Sequence, residues 1–287
     1  MANLMLGKEV TAALNERIRQ RVDRLKEKGT EPQLAIVRIG EQEGDISYER
    51  GAVKRCEMLG VKCRQIHLPE CSSTEEVLAV IEKLNSDAAV HGVLLMRPLP
   101  KHMDQARIEN ALDPSKDVDC MTDASLTGVF TGKKIGFAPC TAQACMEILD
   151  HYGIDCAGRR AVVIGRSLVI GKPAAMLLLQ KNATVTVCHT KTKDLPSVAA
   201  QADILIAAAG QAKMVGTDYV REGQIILDVG IHMDENGKLC GDVDLEAVSE
   251  KAAYITPVPG GVGSVTTSVL VSHTVEAAEA AVCAENR

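Results

Sequence analysis

The strongest constraint on this chain's fold is an alternation between two periodicities. In residues 8–28, Val10, Leu14, Ile18, Val22 and Leu25 recur at spacings of three and four, the mark of an amphipathic helix. Residues 33–39 are a short apolar run ending at Gly40 and read as a buried strand. A helix fits 46–59, closed by Gly60, then a strand over 61–68, a helix over 74–85 and a strand over 90–96 that Pro98 and Pro100 stop. The alternation resumes near residue 140, with helix 142–151, strand 160–164, helix 170–180, strand 184–188 and helix 194–200. Strands follow at 203–208, 224–229 and 252–255, and the Ala- and Val-rich segment 266–282 reads as a last helix. Strands separated by helices build a parallel sheet with helices on its faces, so the expected class is α/β.

A chain of 287 residues makes two domains at about 150 residues each. The net charge of −6 lacks the basic field of a general nucleic-acid binder, although a local pocket for a phosphate remains open. With two Phe, four Tyr and no Trp there is little to stack on bases. No two of the ten cysteines are spaced as in CxxC, so they read as buried or idle thiols, and no metal is expected. No apolar run approaches the ~18 residues of a membrane span, and Met1–Lys8 lacks the pattern of a signal peptide. The expectation is a cytoplasmic protein with neither membrane nor nucleic acid as partner.

The strand at 160–164 runs into Gly165-Arg166-Ser167-Leu168-Val169-Ile170-Gly171. A strand, a glycine turn and a helix start present free N–H groups and the positive helix end to an anion. Ser167 stands where the usual G-x-G-x-x-G has its middle glycine, and a plain turn is the competing reading. The next strand ends in Cys188-His189-Thr190-Lys191-Thr192, without the acid that holds an NAD ribose. Arg166, His189 and Thr190 instead suit a 2′-phosphate, which favours NADP over NAD, while Lys191 reads as a solvated loop charge. Ala209 and Gly210 after one strand, and Gly230 and Ile231 after another, lie on the same carboxyl edge and are further candidates for cofactor contact.

The string Pro257-Val258-Pro259-Gly260-Gly261-Val262-Gly263 is rigid and poor in side chains. Together with Gly165-Arg166-Ser167, Pro139-Cys140-Thr141, Asp117-Val118-Asp119 and Arg97-Pro98-Leu99-Pro100, it resembles the methylenetetrahydrofolate dehydrogenase–cyclohydrolase (FolD) family along essentially the whole chain. The resemblance implies two α/β domains around a cleft. A folate-binding domain would comprise 1–138 with the helix 266–287, and a Rossmann-like, doubly wound NADP domain 139–265. It implies a homodimer, and hydride transfer from methylenetetrahydrofolate to NADP followed by hydrolysis of the methenyl product. Thr141 joins the cofactor set by the same resemblance. Tyr48 would stack on the folate, Asp119 would pair with its pterin, and Pro257, Pro259, Gly260 and Gly261 would flank the substrate.

The chain departs from the family where the hydrolysis is done. The family pairs a lysine, four residues after its tyrosine, with a glutamine; here these positions are Ala52 and Met96. Lys54 lies six residues after Tyr48, which turns it about 120° away on a 3.6-residue helix. Arg55 shares Tyr48's face, but a guanidinium is a poor proton donor. The expected activity is therefore NADP-dependent dehydrogenation with the cyclohydrolase in doubt. Two alternatives stand beside it: a fully bifunctional enzyme using another group or water, and a folate- or nucleotide-binding regulator without turnover. Ser264-Val265 also replaces the Pro-Met of the family loop. Cys140 lacks a histidine neighbour in sequence and reads as a packed thiol.

Overall fold

The computed structural model describes residues 1–235 and 237–285. In chain order it begins with β1 (Asn3–Leu4), α1 (Gly7–Glu27), β2 (Gln33–Ile39), α2 (Glu43–Leu59), β3 (Lys62–Leu68), α3 (Thr74–Ser86) and β4 (Gly92–Leu95). Next come α4 (Gln105–Glu109), α5 (Asp123–Thr131), α6 (Cys140–His151), β5 (Arg160–Ile164), α7 (Gly171–Gln180), β6 (Thr184–Cys188) and α8 (Leu195–Ala199). The remainder is β7 (Ile204–Ala207), β8 (Ile225–Asp228), the hairpin of β9 (His232–Met233) and β10 (Leu239–Cys240), α9 (Leu245–Val248), β11 (Tyr254–Ile255) and α10 (Thr266–Glu285).

The contacts divide the chain into two compact units. One holds Ala13–Cys140 and the residues from Thr267 onward; the other holds Met1–Ala12 and Thr141–Thr266. Residues 1–12, expected in the first domain, thus belong with the second. The reason is β1, which adds a parallel strand to β11 with Asn3 opposite Tyr254 and Leu4 opposite Ile255. Two residues carry too little pattern to read as a strand.

In the first unit the sheet is three-stranded and parallel, in the order β3-β2-β4. The central β2 is apolar along nearly its whole length because helices cover both of its faces. Ala35, Val37 and Ile39 pack on one side with Val77, Ile81 and Leu84 of α3. Gly60 ends α2 in the left-handed region at φ 71°, where its N–H reaches the last turn. Lys116 closes α3 by donating to the carbonyls of Leu84, Asn85 and Asp87, each at 2.8 Å.

In the second unit six parallel strands run β1-β11-β8-β7-β5-β6. From β5 the chain passes through α7 to β6 on one side, and then through α8 to β7 on the other. The direction of winding therefore reverses between β5 and β7. At such a reversal the carboxyl ends of the strands open a crevice where ligands bind in open α/β sheets. The sequence reading found these strands except β1 but overextended 252–255, of which only Tyr254–Ile255 pair, and it missed α4, α5, α9 and the β9–β10 hairpin.

Candidate functional site

The glycine turn lies at the reversal in the second unit. Gly165 has φ 125°, and a Cβ there would stand 2.2 Å from the Ala208 carbonyl oxygen at the end of β7. A Cβ on Gly171 would stand 2.3 Å from the Gly165 carbonyl oxygen. Both glycines are required by backbone packed on backbone. Ser167, in the place of the middle glycine, accepts the Ile170 N–H at 3.3 Å and so secures the entry to α7. Arg166 is exposed beside it.

After β6 the chain folds back on itself. The His189 N–H donates to Thr192 Oγ1 at 2.9 Å, and the Lys191 N–H donates to His189 Nδ1 at 3.1 Å. With Nδ1 accepting, the ring proton sits on Nε2, which makes His189 a donor. Thr190 is exposed on the same turn.

Two buried aspartates hold the neighbouring loops. Asp242 is fully buried and accepts the N–H groups of Ala209, Gly210 and Gln211 at 2.6, 3.1 and 2.9 Å, with His232 Nε2 at 2.7 Å. Asp228 accepts the N–H groups of Gly230, Asp242 and Val243 at 3.0, 2.9 and 3.0 Å. Burial pushes the Asp228 carboxyl up to about 6, against the pull of those three donors. Gly230 and Gly241 leave the room this needs, since a Cβ on either would fall within 2.5 Å of these carboxylates or their backbone. The sequence reading picked out the loops at Ala209, Gly210, Gly230 and Ile231 but missed the Asp242 that ties them together. Its signal was the Gly241–Asp242 pair just past the hairpin.

The proline–glycine loop also belongs to this unit. The Val258–Pro259 bond is cis, Gly260 has φ 99°, and the Gly260 carbonyl accepts the Gly7 N–H at 2.8 Å. A Cβ on Gly261 would stand 2.5 Å from the Pro257 carbonyl oxygen. Ser264 closes the turn through its hydroxyl, which donates to Gly261 at 2.7 Å. Thr141, half-buried, opens the unit in the first turn of α6.

In the first unit Asp119 is half-buried, and its Oδ1 accepts the Cys140 N–H at 3.1 Å. Burial raises its carboxyl above the ordinary value. Asp117 is buried and structural: it accepts Met121 and Thr122 N–H groups at 2.8 Å and the Ser125 hydroxyl at 2.6 Å. One reading needs correction. Cys140 does have a histidine neighbour, with His273 Nδ1 3.9 Å from its sulfur. That nitrogen, however, is spent on the Val118 carbonyl at 2.9 Å, and burial pushes the thiol well above its ordinary value. Cys140 is therefore a packed thiol, as expected.

Tyr48 is half-buried on α2, while Ala52 and Met96 are buried. Around them lies a charged layer the sequence reading did not find. Arg38 Nε meets Glu49 Oε2 at 2.7 Å, and His67 Nε2 meets Glu49 Oε1 at 2.6 Å. Arg38 also donates to the Gly40 carbonyl. Burial alone would raise the Glu49 carboxyl, but His67 and Arg38 outweigh it and hold it below the ordinary value. Among the described residues no group of three or more His, Cys, Asp or Glu is arranged to hold a metal, and no helix is long and apolar enough to cross a membrane.

A parallel sheet with a glycine turn leading into a helix at its reversal defines a dinucleotide-binding α/β protein of the Rossmann type. The chain belongs to the tetrahydrofolate dehydrogenase/cyclohydrolase family: residues 139–282 match its NAD(P)-binding domain and residues 5–119 its catalytic domain. It is 49% identical to the bifunctional protein FolD of Clostridioides difficile over 96% of both chains. It is 48% identical to that of Clostridium botulinum over 97% of this chain and 99% of the other. Among solved structures it superposes on the bifunctional FolD enzyme of Campylobacter jejuni with a TM-score of 0.95 at 42% identity, covering 98% and 99% of the two chains. A Trypanosoma brucei FolD, complexed with NADP cofactor and inhibitor, matches with a TM-score of 0.91 at 32% identity over 98% of each chain.

Proposed function

We propose that this chain is an NADP-dependent methylenetetrahydrofolate dehydrogenase whose hydrolytic step no longer runs through a lysine–glutamine pair. The observation that carries the first half is the Gly165–Gly171 turn at the reversal of the sheet, where a Cβ on Gly165 would stand 2.2 Å and one on Gly171 2.3 Å from a backbone carbonyl oxygen. NADP, when bound, supplies the acceptor for the folate's hydride, and that step needs positioning rather than a proton. The residues present fit such a group. Gly165, Ser167 and Gly171 offer the turn, Arg166, His189 and Thr190 offer donors to a 2′-phosphate, and the Ala209–Gly210 and Gly230–Ile231 loops offer small or backbone surface. Asp119 orients the pterin through its carboxylate, Tyr48 lies along the folate ring system, and Pro257, Pro259, Gly260 and Gly261 border it. A regulator without turnover would have no use for both half-sites at once.

Arg166 sets the cofactor preference in this reading. Arg166→Ala is expected to raise the KM for NADP by about 10–150-fold, the worth of a charge-assisted hydrogen bond, with little change for NAD. Initial rates with each cofactor check it; equal effects on both would remove Arg166 from phosphate recognition.

The second half rests on Ala52 and Met96, which neither give nor take a proton. General acid–base help is typically worth 10²–10⁴-fold, so hydrolysis should lag hydride transfer by at least tenfold. With methylenetetrahydrofolate and NADP supplied, the methenyl compound is expected to accumulate ahead of the formyl product. Formyl product appearing in step with NADPH would overturn this half alone. That relatives of near-equal length are named bifunctional supports some residual hydrolysis.

A further inference from the structure

Four donors converge on the carboxylate of Asp242, and they come from two loops. Oδ2 accepts the N–H groups of Ala209 and Gly210 at 2.6 and 3.1 Å. Oδ1 accepts the Gln211 N–H at 2.9 Å and the His232 Nε2–H at 2.7 Å. The loop after β7 is therefore tied to one carboxylate together with the start of β9. Asp242 itself is held in place. Its N–H donates to Asp228 Oδ1 at 2.9 Å, its carbonyl accepts the Val215 N–H at 2.9 Å, and the residue is fully buried. A carboxylate taken out of water this far is tolerated only when its oxygens are filled by donors, so the four bonds hold as a unit.

His232 carries the tie to the second loop. Asp228 accepts the Gly230 N–H at 3.0 Å, so the Gly230–Ile231 segment is fixed by Asp228 before it and by His232 after it. Ile231 in turn lies against the proline–glycine loop, where a Cβ on Gly263 would stand 3.3 Å from Ile231 Cδ1. The 209–211 segment spends its three N–H groups on Asp242 rather than on a ligand. What it offers a cofactor is the small side of Ala209 and Gly210, at the position in which Asp242 holds them.

We propose that Asp242 and His232 are positioning residues for the cofactor: one buried carboxylate fixes the spacing between the 209–211 and 230–231 loops. The proposal rests on the NADP reading above. Neither residue needs to touch the cofactor or to move a proton. An asparagine at position 242 shows what the carboxylate supplies. Whichever way its amide turns, one pair of donors, Ala209 with Gly210 or Gln211 with His232, meets an NH2 group instead of an oxygen. Part of the tie is then released while the rest stays bonded. Misplacing bound groups by about 1 Å can cost about 10²-fold in rate, so a change in that spacing reads out in cofactor affinity and turnover.

The test compares the wild type with His232→Ala, His232→Gln and Asp242→Asn. Titration calorimetry gives the affinity of each for NADP and, separately, for folate; initial rates with methylenetetrahydrofolate give KM and kcat for NADP. The His232 side chain is 23% exposed, so its truncation leaves the core intact. His232→Ala is expected to weaken NADP binding about tenfold or more, with KM rising in step and folate affinity unchanged. His232→Gln, whose amide can donate to Asp242, is expected to recover most of that loss, and Asp242→Asn to lose more than His232→Ala. If Asp242→Asn does not fold, the two His232 variants decide. A purely structural role would lower the melting temperature and leave the NADP affinity of the folded protein unchanged. That result, or a loss in His232→Ala that His232→Gln does not recover, would overturn the proposal. A wild type that binds NADP but forms no NADPH would fail the dehydrogenase reading, and the NADP affinities of the variants would still decide the proposal.

Discussion

Asp119→Asn is expected to lower folate affinity by about 10–150-fold, equivalent to about 1.5–3 kcal/mol, while NADP still binds. In the proposed reading the aspartate carboxylate accepts from the pterin's donors, and the asparagine amide would set a donor against a donor. The same amide keeps an oxygen for the Cys140 N–H, so the fold around it survives. Asp119→Ala loses the same affinity and that local bond as well. Because burial raises the Asp119 carboxyl, folate affinity should begin to fall on acidification at a higher pH than an ordinary carboxylate would dictate. Titration calorimetry with folate checks the prediction. Wild-type affinity in Asp119→Asn would leave Asp119 a purely structural acceptor.

Gly165→Ala should act on the other half-site and on stability together. The new Cβ would meet the Ala208 carbonyl oxygen at 2.2 Å, from a backbone φ of 125° that L-residues rarely adopt. Neither strand end can yield freely, because Gly165 donates to the Cys188 carbonyl at 2.9 Å and Ala208 to the Ile164 carbonyl at 2.8 Å. Strain and overpacking together put the expected loss at about 2–6 kcal/mol, with NADP binding abolished. Denaturant titration and a cofactor binding curve measure the two effects. Unchanged stability and NADP affinity would show that the turn does not hold the cofactor.

What the sequence made legible followed from period and punctuation. β2, β5 and β6 fall on the expected bounds because each is a short apolar run with a clear stop, and α2 ends at Gly60 because only a left-handed residue closes that turn. β1 escaped notice because two residues have no period, and the β9–β10 hairpin for the same reason. The polar scaffolds were hidden by distance along the chain. Asp242 bonds loops more than thirty residues away, and His273 reaches Cys140 from 133 residues on. Arg38, Glu49 and His67 look like scattered surface charges in sequence, since only the register of β2 against β3 and the turn of α2 bring them together. The departures at Ala52 and Met96 were legible at once; what surrounds them was not.

The most direct test of the account is a progress curve of the purified protein with methylenetetrahydrofolate and NADP, following reduced cofactor and folate products together. NADPH and the methenyl compound are expected to rise together, with the formyl product trailing. No NADPH above the protein-free control would contradict it.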